Sequence, residues 1–403
     1  MKYFTAAIFL AGVFVSVLSC KELLPAELEE NEVLDGTVEG LSLQEQILFG
    51  EGDVAFARAF TVADGLGPIF VETSCLSCHI GDGRGHPFTE LIRFAYVDEN
   101  GNADPLLHLG GPQLQHRSIP GFEPETIPEE ANGITSFLAP PNTGLGFLEA
   151  VADADILALA DPDDLDGDGI SGVPSYADPL GFYTPYPFNI PNAEGKYIGR
   201  FGRKAGAIDL LIQTVGAYRQ DMGITSAFLT NEPEGVPLSP AEPEVSRKEV
   251  LDVVFYLQTL KAPQRRNETD PDVMAGELLF QQINCSGCHT PEMKTTDFHI
   301  EALSNKTFHP YTDLLLHDMG PELDDNYTEG SATTAEWRTT PLWGLGLAKD
   351  VQGGVLFLMH DGRAKSMDEA IQYHGGEGSN SRAAYNALTA QEKKQLIAFL
   401  ESL

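Results

Sequence analysis

The sequence has little positive charge, few cysteines and almost no tryptophan. Its 403 residues contain 25 Lys and Arg against 60 Asp and Glu, a formal net charge of −35, together with 5 Cys and 2 Trp. A surface this acidic repels phosphate and no basic stripe offsets it, so nucleic-acid binding is excluded and any charged partner should be cationic. The 42% hydrophobic content excludes a chain that is disordered throughout, and the length allows two to three domains.

Long apolar runs are scarce as well. One such run covers residues 4–18 and ends just before Cys20, and an acidic stretch follows at 27–32. It is shorter than the roughly 20 apolar residues of a transmembrane helix and is typical of a cleaved export signal. Residues 1–19 resemble a bacterial lipoprotein signal peptide, in which Cys20 becomes the lipid-bearing first residue; the alternative is an ordinary secretory signal with Cys20 as an incidental thiol. We therefore expect an exported protein of the periplasm or cell envelope, attached to the membrane by a lipid only.

The other four cysteines form two pairs, each followed directly by a histidine. The pentapeptides are CLSCH at 75–79 and CSGCH at 285–289. This spacing is typical of c-type haem attachment, because the two thiols add to the vinyl groups of one porphyrin and the histidine ligates its iron. A zinc centre of four thiolates would make each histidine a coincidence, and a thioredoxin-like redox pair would need a βαβ context. We predict two covalent haem c groups, attached through Cys75, Cys78, Cys285 and Cys288 and ligated by His79 and His289.

Similar patterns surround both pentapeptides and predict two cytochrome c-like haem domains in a mostly α fold. Helical patterns precede both sites, and residues 253–260 closely match residues 396–403. Each of these segments follows a helix-start signal, a Ser or Thr with Glu three residues later, at Ser246 and Thr389. An initial helix, a haem-binding turn and a closing helix that packs on the first make up a small cytochrome c.

Polar segments separate the predicted domains. An acidic linker covers 20–40, the N-terminal domain covers 41–261, and a linker at 262–271 leads to the C-terminal domain at 272–403. The first domain is too long for a bare cytochrome module. Its excess lies at 80–197, where many Pro, Gly and Asp residues predict a loop-rich insertion around the haem.

Within this insertion, residues 161–172 are rich in Asp and Gly. Asp164, Asp166 and Asp168 recur at every second position, which in a loop turns several carboxylate oxygens toward one hard cation. Ser175 stands where an EF-hand has its bidentate Glu, so the motif is incomplete. The pattern predicts a calcium site, and the alternative is a solvated acidic loop.

Seven further strings resemble the di-haem c-type oxidoreductase family, whose members are also labelled thiol oxidoreductases or peroxidases. They are GPQLQ (111–115), FGRKA (201–205), QTVGA (213–217), DMGITS (221–226), LHDMG (316–320), WRTTPLWGLG (337–346) and HDGRA (360–364). The resemblance covers nearly all of the expected mature chain.

That family is similar to bacterial di-haem cytochrome c peroxidases, which pass electrons from a donor through one haem to hydrogen peroxide at the other, with a calcium ion between the domains. The resemblance implies the same reaction here, at the N-terminal haem. Two alternatives remain open. One is a non-catalytic electron-transfer cytochrome with both irons six-coordinate. The other is a maturation or redox-sensing role toward another protein, although no free cysteine pair remains for thiol chemistry.

The resemblance also implies the second ligand of the C-terminal haem. In the peroxidases a His-Asp-Gly turn is followed fourteen residues later by a ligand Met, whereas here the turn at 360–362 is followed at that distance by His374. A second imidazole stabilises ferric iron more than Met does. A lower-potential haem held by His289 and His374 is therefore implied, and the alternative for His374 is an exposed loop histidine.

For the N-terminal haem the resemblance implies an open iron. Gln213 with Asp221 and Met222 is similar to a Gln and a Glu-Met pair that hold the peroxide side in the peroxidases, although the spacing here is shorter. A peroxidase needs such a group to move a proton between the peroxide oxygens. Alternatively Met222 ligates the iron or packs in the core. Three other candidate ligands lie in the insertion: His86, His108 and His116.

Three remaining residues are expected near the haems, and one protein partner is expected outside them. The segment containing Trp337 is similar to one that packs on the C-terminal haem in the peroxidases. Arg203 and Arg363 match haem propionates, since a guanidinium binds a carboxylate through two hydrogen bonds, although surface salt bridges would account for them equally well. The net charge predicts a basic electron donor, such as a small cytochrome or cupredoxin.

Overall fold

The computed structural model describes residues 33–99, 101–230 and 243–403. The predicted signal peptide and Cys20 lie outside the described residues, as does most of the acidic linker at 20–40. From Leu34 onward the chain forms one compact unit. Helices, with the short 3-10 turns included, take up 34% of the described residues, and strands with isolated bridges 12%. Helix therefore outweighs strand, and irregular structure makes up the rest.

Eleven α-helices are found in the described part of the chain, besides short 3-10 turns. In chain order they are α1 (Leu43–Ala57), α2 (Cys75–Cys78), α3 (Leu145–Glu149), α4 (Asp153–Leu157), α5 (Leu210–Asp221), α6 (Arg247–Thr259), α7 (Pro271–Gln282), α8 (Ala348–Val351), α9 (Met367–Gln372), α10 (Ser379–Ala387) and α11 (Ala390–Ser402). No helix in these ranges is long and apolar enough to cross a membrane.

The strands are short and pair antiparallel. They are β1 (Ile69–Phe70), β2 (Leu91–Val97), β3 (Ala103–Asp104), β4 (Arg117–Ser118), β5 (Gly133–Phe137), β6 (Tyr176–Ala177), β7 (Tyr197–Ile198), β8 (Met293–Lys294), β9 (Thr307–Phe308), β10 (Leu316–Asp318) and β11 (Glu336–Arg338). One sheet has three strands in the order β3-β2-β5, and the other four are two-stranded: β1-β4, β6-β7, β8-β9 and β10-β11.

Two helix pairs are built in the same way around the two pentapeptides. Helix α1 packs on α6, and α7 packs on α11. A glycine lies at each crossing, because a Cβ at Gly52 would collide with the backbone oxygen of Asp252 and one at Gly276 with that of Gln395. The close approach buries aromatic side chains between the helices of each pair, including Phe56 with Tyr256 and Phe280 with Phe399.

The helix-start signals predicted at Ser246 and Thr389 are confirmed. The Ser246 hydroxyl accepts a hydrogen bond from the backbone N–H of Glu249, and the Thr389 hydroxyl accepts one from Glu392. Each bond satisfies a backbone N–H that the first turn of a helix leaves without a partner. The two closing helices therefore begin where the sequence places them.

The predicted insertion contains ordered structure besides loops. It includes the three-stranded sheet, and Phe94, Leu106 and Leu114 form a small buried cluster beside it. The end of this region is held by a buried ion pair between Arg200 and Asp153. These contacts give the loops around the N-terminal pentapeptide a fixed scaffold.

Candidate di-haem site

A large cavity surrounds the second pentapeptide. Its empty volume is about 1430 Å³, including its opening to solvent. Cys285, Cys288 and His289 line it, and so does His374 from the turn that follows α9. The structure therefore brings the predicted ligand at 374 into the same cavity as the pentapeptide.

Of the four imidazoles that line this cavity, those of His289 and His374 are oriented as a pair. Nδ1 of His289 lies 3.0 Å from the carbonyl oxygen of Tyr311, and Nδ1 of His374 lies 2.8 Å from that of Ala370. An N–H at Nδ1 donates in both cases, which leaves each Nε2 as the free ligand atom. Burial lowers the pKa of His374 and, with the nearby His374, lowers that of His289 to about 4, so both rings are neutral near pH 7.

The distance between these rings fits one iron. Their centroids are 6.4 Å apart. Two metal–nitrogen bonds of roughly 2 Å each, together with the distance from each ring centre to its nitrogen, add up to about 6 Å. The chain thus holds His289 and His374 at the separation that an iron between them requires.

Trp337 lines the same cavity and has three close partners. Its ring stacks on His360 with centroids 3.8 Å apart, and its indole N–H donates to the carbonyl oxygen of Leu323 at 2.9 Å. The ammonium of Lys204 lies 3.9 Å from the ring centre and donates to three carbonyl oxygens of residues 333–336. Trp337 is therefore fixed in place with a cation above its ring.

A second cavity surrounds the first pentapeptide and has an empty volume of about 1160 Å³. Its lining includes Cys75, Cys78 and His79, and burial lowers the pKa of His79 to about 4. Helix α5 and the residue after it contribute six side chains: Leu210, Gln213, Thr214, Ala217, Asp221 and Met222. Among the described residues that line this cavity, His79 is the only imidazole.

The three insertion histidines do not reach this cavity. His108 and His116 are exposed. His86 packs against Phe88 and Phe357, with ring centroids 4.6 and 4.7 Å away. Of the sixth-ligand candidates considered from the sequence, only Met222 lies in the cavity.

Asp221 is the last residue of α5, and its carboxylate is bound by Gln113 from the GPQLQ segment at 111–115. The side-chain amide of Gln113 donates to the Asp221 carboxylate and, at 3.2 Å, to the carbonyl oxygen of Gln220. Burial raises the pKa of Asp221 to about 6, although the bond from Gln113 opposes this rise. A carboxyl group with a pKa near 6 can both accept and donate a proton close to neutral pH.

One chain segment separates the two cavities. Arg338 and Thr340 line both of them, Pro341 lines the N-terminal cavity, and Leu342 lines the C-terminal one. The segment 338–342 therefore lies between the two cavities and borders both. The sequence placed this string near the C-terminal haem and missed its contact with the other cavity.

The two predicted propionate partners lie in different surroundings. Arg203 lines the C-terminal cavity. Arg363 lines neither large cavity; its Nε pairs with Asp361 at 2.7 Å, and its Nη1 donates to the carbonyl oxygen of Glu322. This local ion pair holds the guanidinium of Arg363 away from both sites. The sequence missed Arg84, which also lines the C-terminal cavity.

The acidic loop groups a different set of carboxylates from the predicted one. Oxygens of Asp161, Asp164 and Asp166 lie within 4.8 Å of one another. Asp168 is not in this group, because its carboxylate accepts from the side-chain amide of Asn284 at 2.9 Å. Asp161 replaces Asp168 in the set, and Asp168 instead ties the loop to the residue before Cys285.

A buried charge network beside Cys288 was not found from the sequence. His317 bonds to Asp313 at 2.8 Å through Nε2 and to Glu377 at 2.6 Å through Nδ1. Burial opposes a charge on His317, but these bonds outweigh it and raise its pKa to about 12. The hydroxyl of Ser171 also donates to Glu377, at 2.7 Å. The network therefore connects the acidic loop with the segment that carries His374.

Two cysteine pairs, each with its own imidazole and its own cavity, define a haem oxidoreductase. The family described as "Di-haem oxidoreductase, putative peroxidase" matches residues 133–403, and the chain belongs to it. The resemblance found in the sequence is confirmed, and haem is the cofactor that this family implies.

Among the solved structures that show similarity to this chain, two are described here, and each is a distant match. Hydrazine synthase of Kuenenia stuttgartiensis is 13% identical, with 94% of this chain and 98% of that chain covered and a TM-score of 0.37. A MauG-like protein associated with microbial copper homeostasis is 16% identical, with 64% and 87% covered and a TM-score of 0.30. No curated protein sequence matches the chain.

Proposed function

We propose that this protein is an exported di-haem c-type cytochrome oxidoreductase that reduces hydrogen peroxide at its N-terminal haem. The observation that carries the proposal is the difference between the two cavities. In the C-terminal cavity the imidazoles of His289 and His374 lie 6.4 Å apart, whereas the N-terminal cavity has His79 as its single imidazole among the described residues, together with a carboxyl group whose pKa is about 6. A six-coordinate iron suits electron transfer, and an iron with a free position beside a proton carrier suits peroxide reduction.

The cysteines support covalent attachment of both haems. Cys75 and Cys78 line one cavity, and Cys285 and Cys288 line the other, so the two pairs do not form one four-thiolate zinc centre. Burial raises the thiol pKa of Cys75, Cys78 and Cys285 to about 12, which disfavours the thiolate that zinc binding or thiol exchange needs. Thioether bonds to a porphyrin need no lasting thiolate.

The protein's own groups would supply the proton movement. Each bound haem supplies a redox-active iron, and reduction of H₂O₂ to two waters consumes two electrons and two protons. The Asp221 carboxylate is the proton carrier in this proposal, and Gln113 fixes its orientation. Gln213 is a second hydrogen-bonding group on the same helix and in the same cavity. Electrons would arrive from the C-terminal haem across the segment at 338–342.

Met222 supports an alternative, because it lies in the N-terminal cavity and carries a thioether that can ligate iron. EPR of the ferric protein distinguishes the two functions. We expect one high-spin signal from the N-terminal haem and one low-spin signal from the C-terminal haem, with Met222→Leu leaving both unchanged. Two low-spin haems without peroxide turnover, and a high-spin haem created by Met222→Leu, would instead identify a non-catalytic electron-transfer cytochrome.

We further propose that the acidic loop binds calcium. Three carboxylates within 4.8 Å of one another support this, since oxygen ligands are what Ca²⁺ prefers. The purified protein should retain a single calcium ion that chelation removes, and Asp164→Asn should weaken calcium binding at least tenfold in a titration calorimeter. Asp163→Asn, which alters a neighbouring carboxylate outside the group, should bind like the wild type. Equal calcium binding by both variants would rule out this site.

Export and the electron donor form the last part of the proposal. The apolar run at 4–18 followed by Cys20 supports a cleaved lipoprotein signal, and c-type haem attachment fits a location in the periplasm or cell envelope. The net charge of −35 supports a basic donor, such as a small cytochrome or cupredoxin, because opposite charges speed association. Mass spectrometry of the mature N-terminus would show whether Cys20 carries a lipid.

A further inference from the structure

Three buried arginines lie together at the C-terminal cavity. The exposed fractions of Arg84, Arg203 and Arg338 are 8%, 5% and 7%. All three line this cavity, and Arg338 also lines the N-terminal one. The positive charge of Arg203 contributes to the lowered pKa of His79 on one side and of His360 on the other. The group therefore lies between the two haem sites.

These guanidiniums have no carboxylate partner within the described ranges, in a chain with 60 acidic residues. Two carboxylates favour the charged forms of these arginines from a distance, Asp361 for Arg203 and Asp313 for Arg338. Both are bound to other residues. Arg363 holds Asp361 at 2.7 Å, and His317 holds Asp313 at 2.8 Å. Three like charges buried without counter-charges are unfavourable unless an anion joins them.

Backbone carbonyls orient two of the guanidiniums without neutralising them. Nε and Nη2 of Arg203 donate to the carbonyl oxygen of Leu138 at 3.0 and 2.7 Å. Nε of Arg338 donates to that of Gly202 at 3.0 Å. The guanidinium of Arg84 donates to no group of the described residues. Each arginine therefore has N–H groups left for an anion in the cavities.

We propose that Arg84, Arg203 and Arg338 form one anion seat that holds propionates of both haems, with Arg338 shared between them. The inference rests on the proposed function in so far as both cavities hold haem. Two haems carry four propionates, and a guanidinium binds a carboxylate through two parallel hydrogen bonds. The seat would hold carboxylates of both cofactors at one place between the two cavities, where the arginine charges act on both haems.

A redox titration of the holoprotein, with each haem followed by its own EPR and visible bands, tests the seat. A positive charge beside a haem favours the reduced form, so Arg338→Gln should lower the midpoint potentials of both haems. Arg338→Lys, which keeps the charge and loses the paired hydrogen bonds, should lower them less. Lys248→Gln removes a surface charge that pairs with Glu51 and Asp252 outside both cavities and should leave both potentials unchanged.

Arg84→Gln is the second variant, because the guanidinium of Arg84 has no bond to a described residue whose loss would disturb folding. It should lower the potential of the C-terminal haem. If Arg338→Gln shifts one haem only, or neither, while both haems stay attached, the shared seat is wrong. A wild-type protein with two haems and no peroxide turnover would overturn the proposed function alone, since the potentials still report on the arginines. A wild-type protein without haem would overturn both.

Discussion

Replacing Asp221 by Asn should lower kcat for peroxide reduction by about 10² to 10⁴-fold, the usual effect of losing a positioned proton carrier. The amide keeps the shape of the carboxyl group and its contact with Gln113, but it cannot take up a proton. Haem content and EPR spectra should stay as in the wild type. Stopped-flow or steady-state turnover with a reduced artificial donor measures the loss.

The pH dependence provides a second readout of Asp221. Because burial raises its pKa to about 6, the carboxylate becomes the major form only above that pH. If the carboxylate accepts the first proton, wild-type kcat/KM should rise with pH through about 6, and the rise should be absent in Asp221→Asn. Gln113→Ala removes a bond that favours the charged form, so its profile should move to higher pH.

Asp178→Asn is the matched control for this prediction. Its side chain is 78% exposed and pairs with Lys196 at the surface. The control should keep wild-type turnover and the wild-type pH profile. If Asp221→Asn also keeps wild-type turnover, Asp221 is not the proton carrier. Gln213 would then be the remaining hydrogen-bonding group proposed in that cavity.

Replacing His374 by Gly should convert the C-terminal haem from low spin to high spin, so that the low-spin signal of the ferric protein is lost while the N-terminal haem is unchanged. The variant removes one of two imidazoles whose centroids are 6.4 Å apart and leaves room for a free imidazole. Added imidazole should restore the low-spin signal. His374→Met should instead keep a six-coordinate iron and raise its potential, because Met favours ferrous iron.

His309→Ala serves as the control for His374. His309 is exposed and its Nδ1 lies 3.3 Å from the carbonyl oxygen of Pro291, outside both cavities. Its removal should change neither EPR signal. A low-spin C-terminal haem that persists in His374→Gly without imidazole would show that another side chain ligates the iron, and Met359, which also lines that cavity, would be the next to replace.

The sequence revealed the parts of the site that local chemistry dictates. In the proposed c-type attachment both thiols of a pentapeptide reach one porphyrin, so their spacing is visible in the chain without knowledge of the fold. Gln213 and Asp221 lie eight residues apart in α5, close to two helical turns, and therefore reach the same cavity. His374 came from family resemblance, and the structure places it opposite His289.

Residues set by distant contacts could not be found in this way. Arg84 and Arg338 are 254 positions apart, and only the folded chain shows that they share a cavity and that neither pairs with a carboxylate of the described residues. Asp168 is not one of the three clustered carboxylates because it accepts a hydrogen bond from Asn284, a partner 116 residues away in the chain. The ion pair of Arg363 could have been predicted from the sequence, since its carboxylate partner Asp361 lies only two residues earlier in the chain.

The contact between Lys204 and Trp337 affects how easily the indole ring of Trp337 can be oxidised. Burial lowers the pKa of Lys204, but its ammonium donates to three carbonyl oxygens and pairs with Asp325 at 3.5 Å, and both contacts favour the charged form 3.9 Å from the centre of the indole ring. Taking an electron from that ring would create a second positive charge beside the first, which is costly in a buried site. We therefore expect Trp337 to be harder to oxidise than an indole without an ammonium beside it, which would favour keeping oxidising equivalents on the bound cofactors.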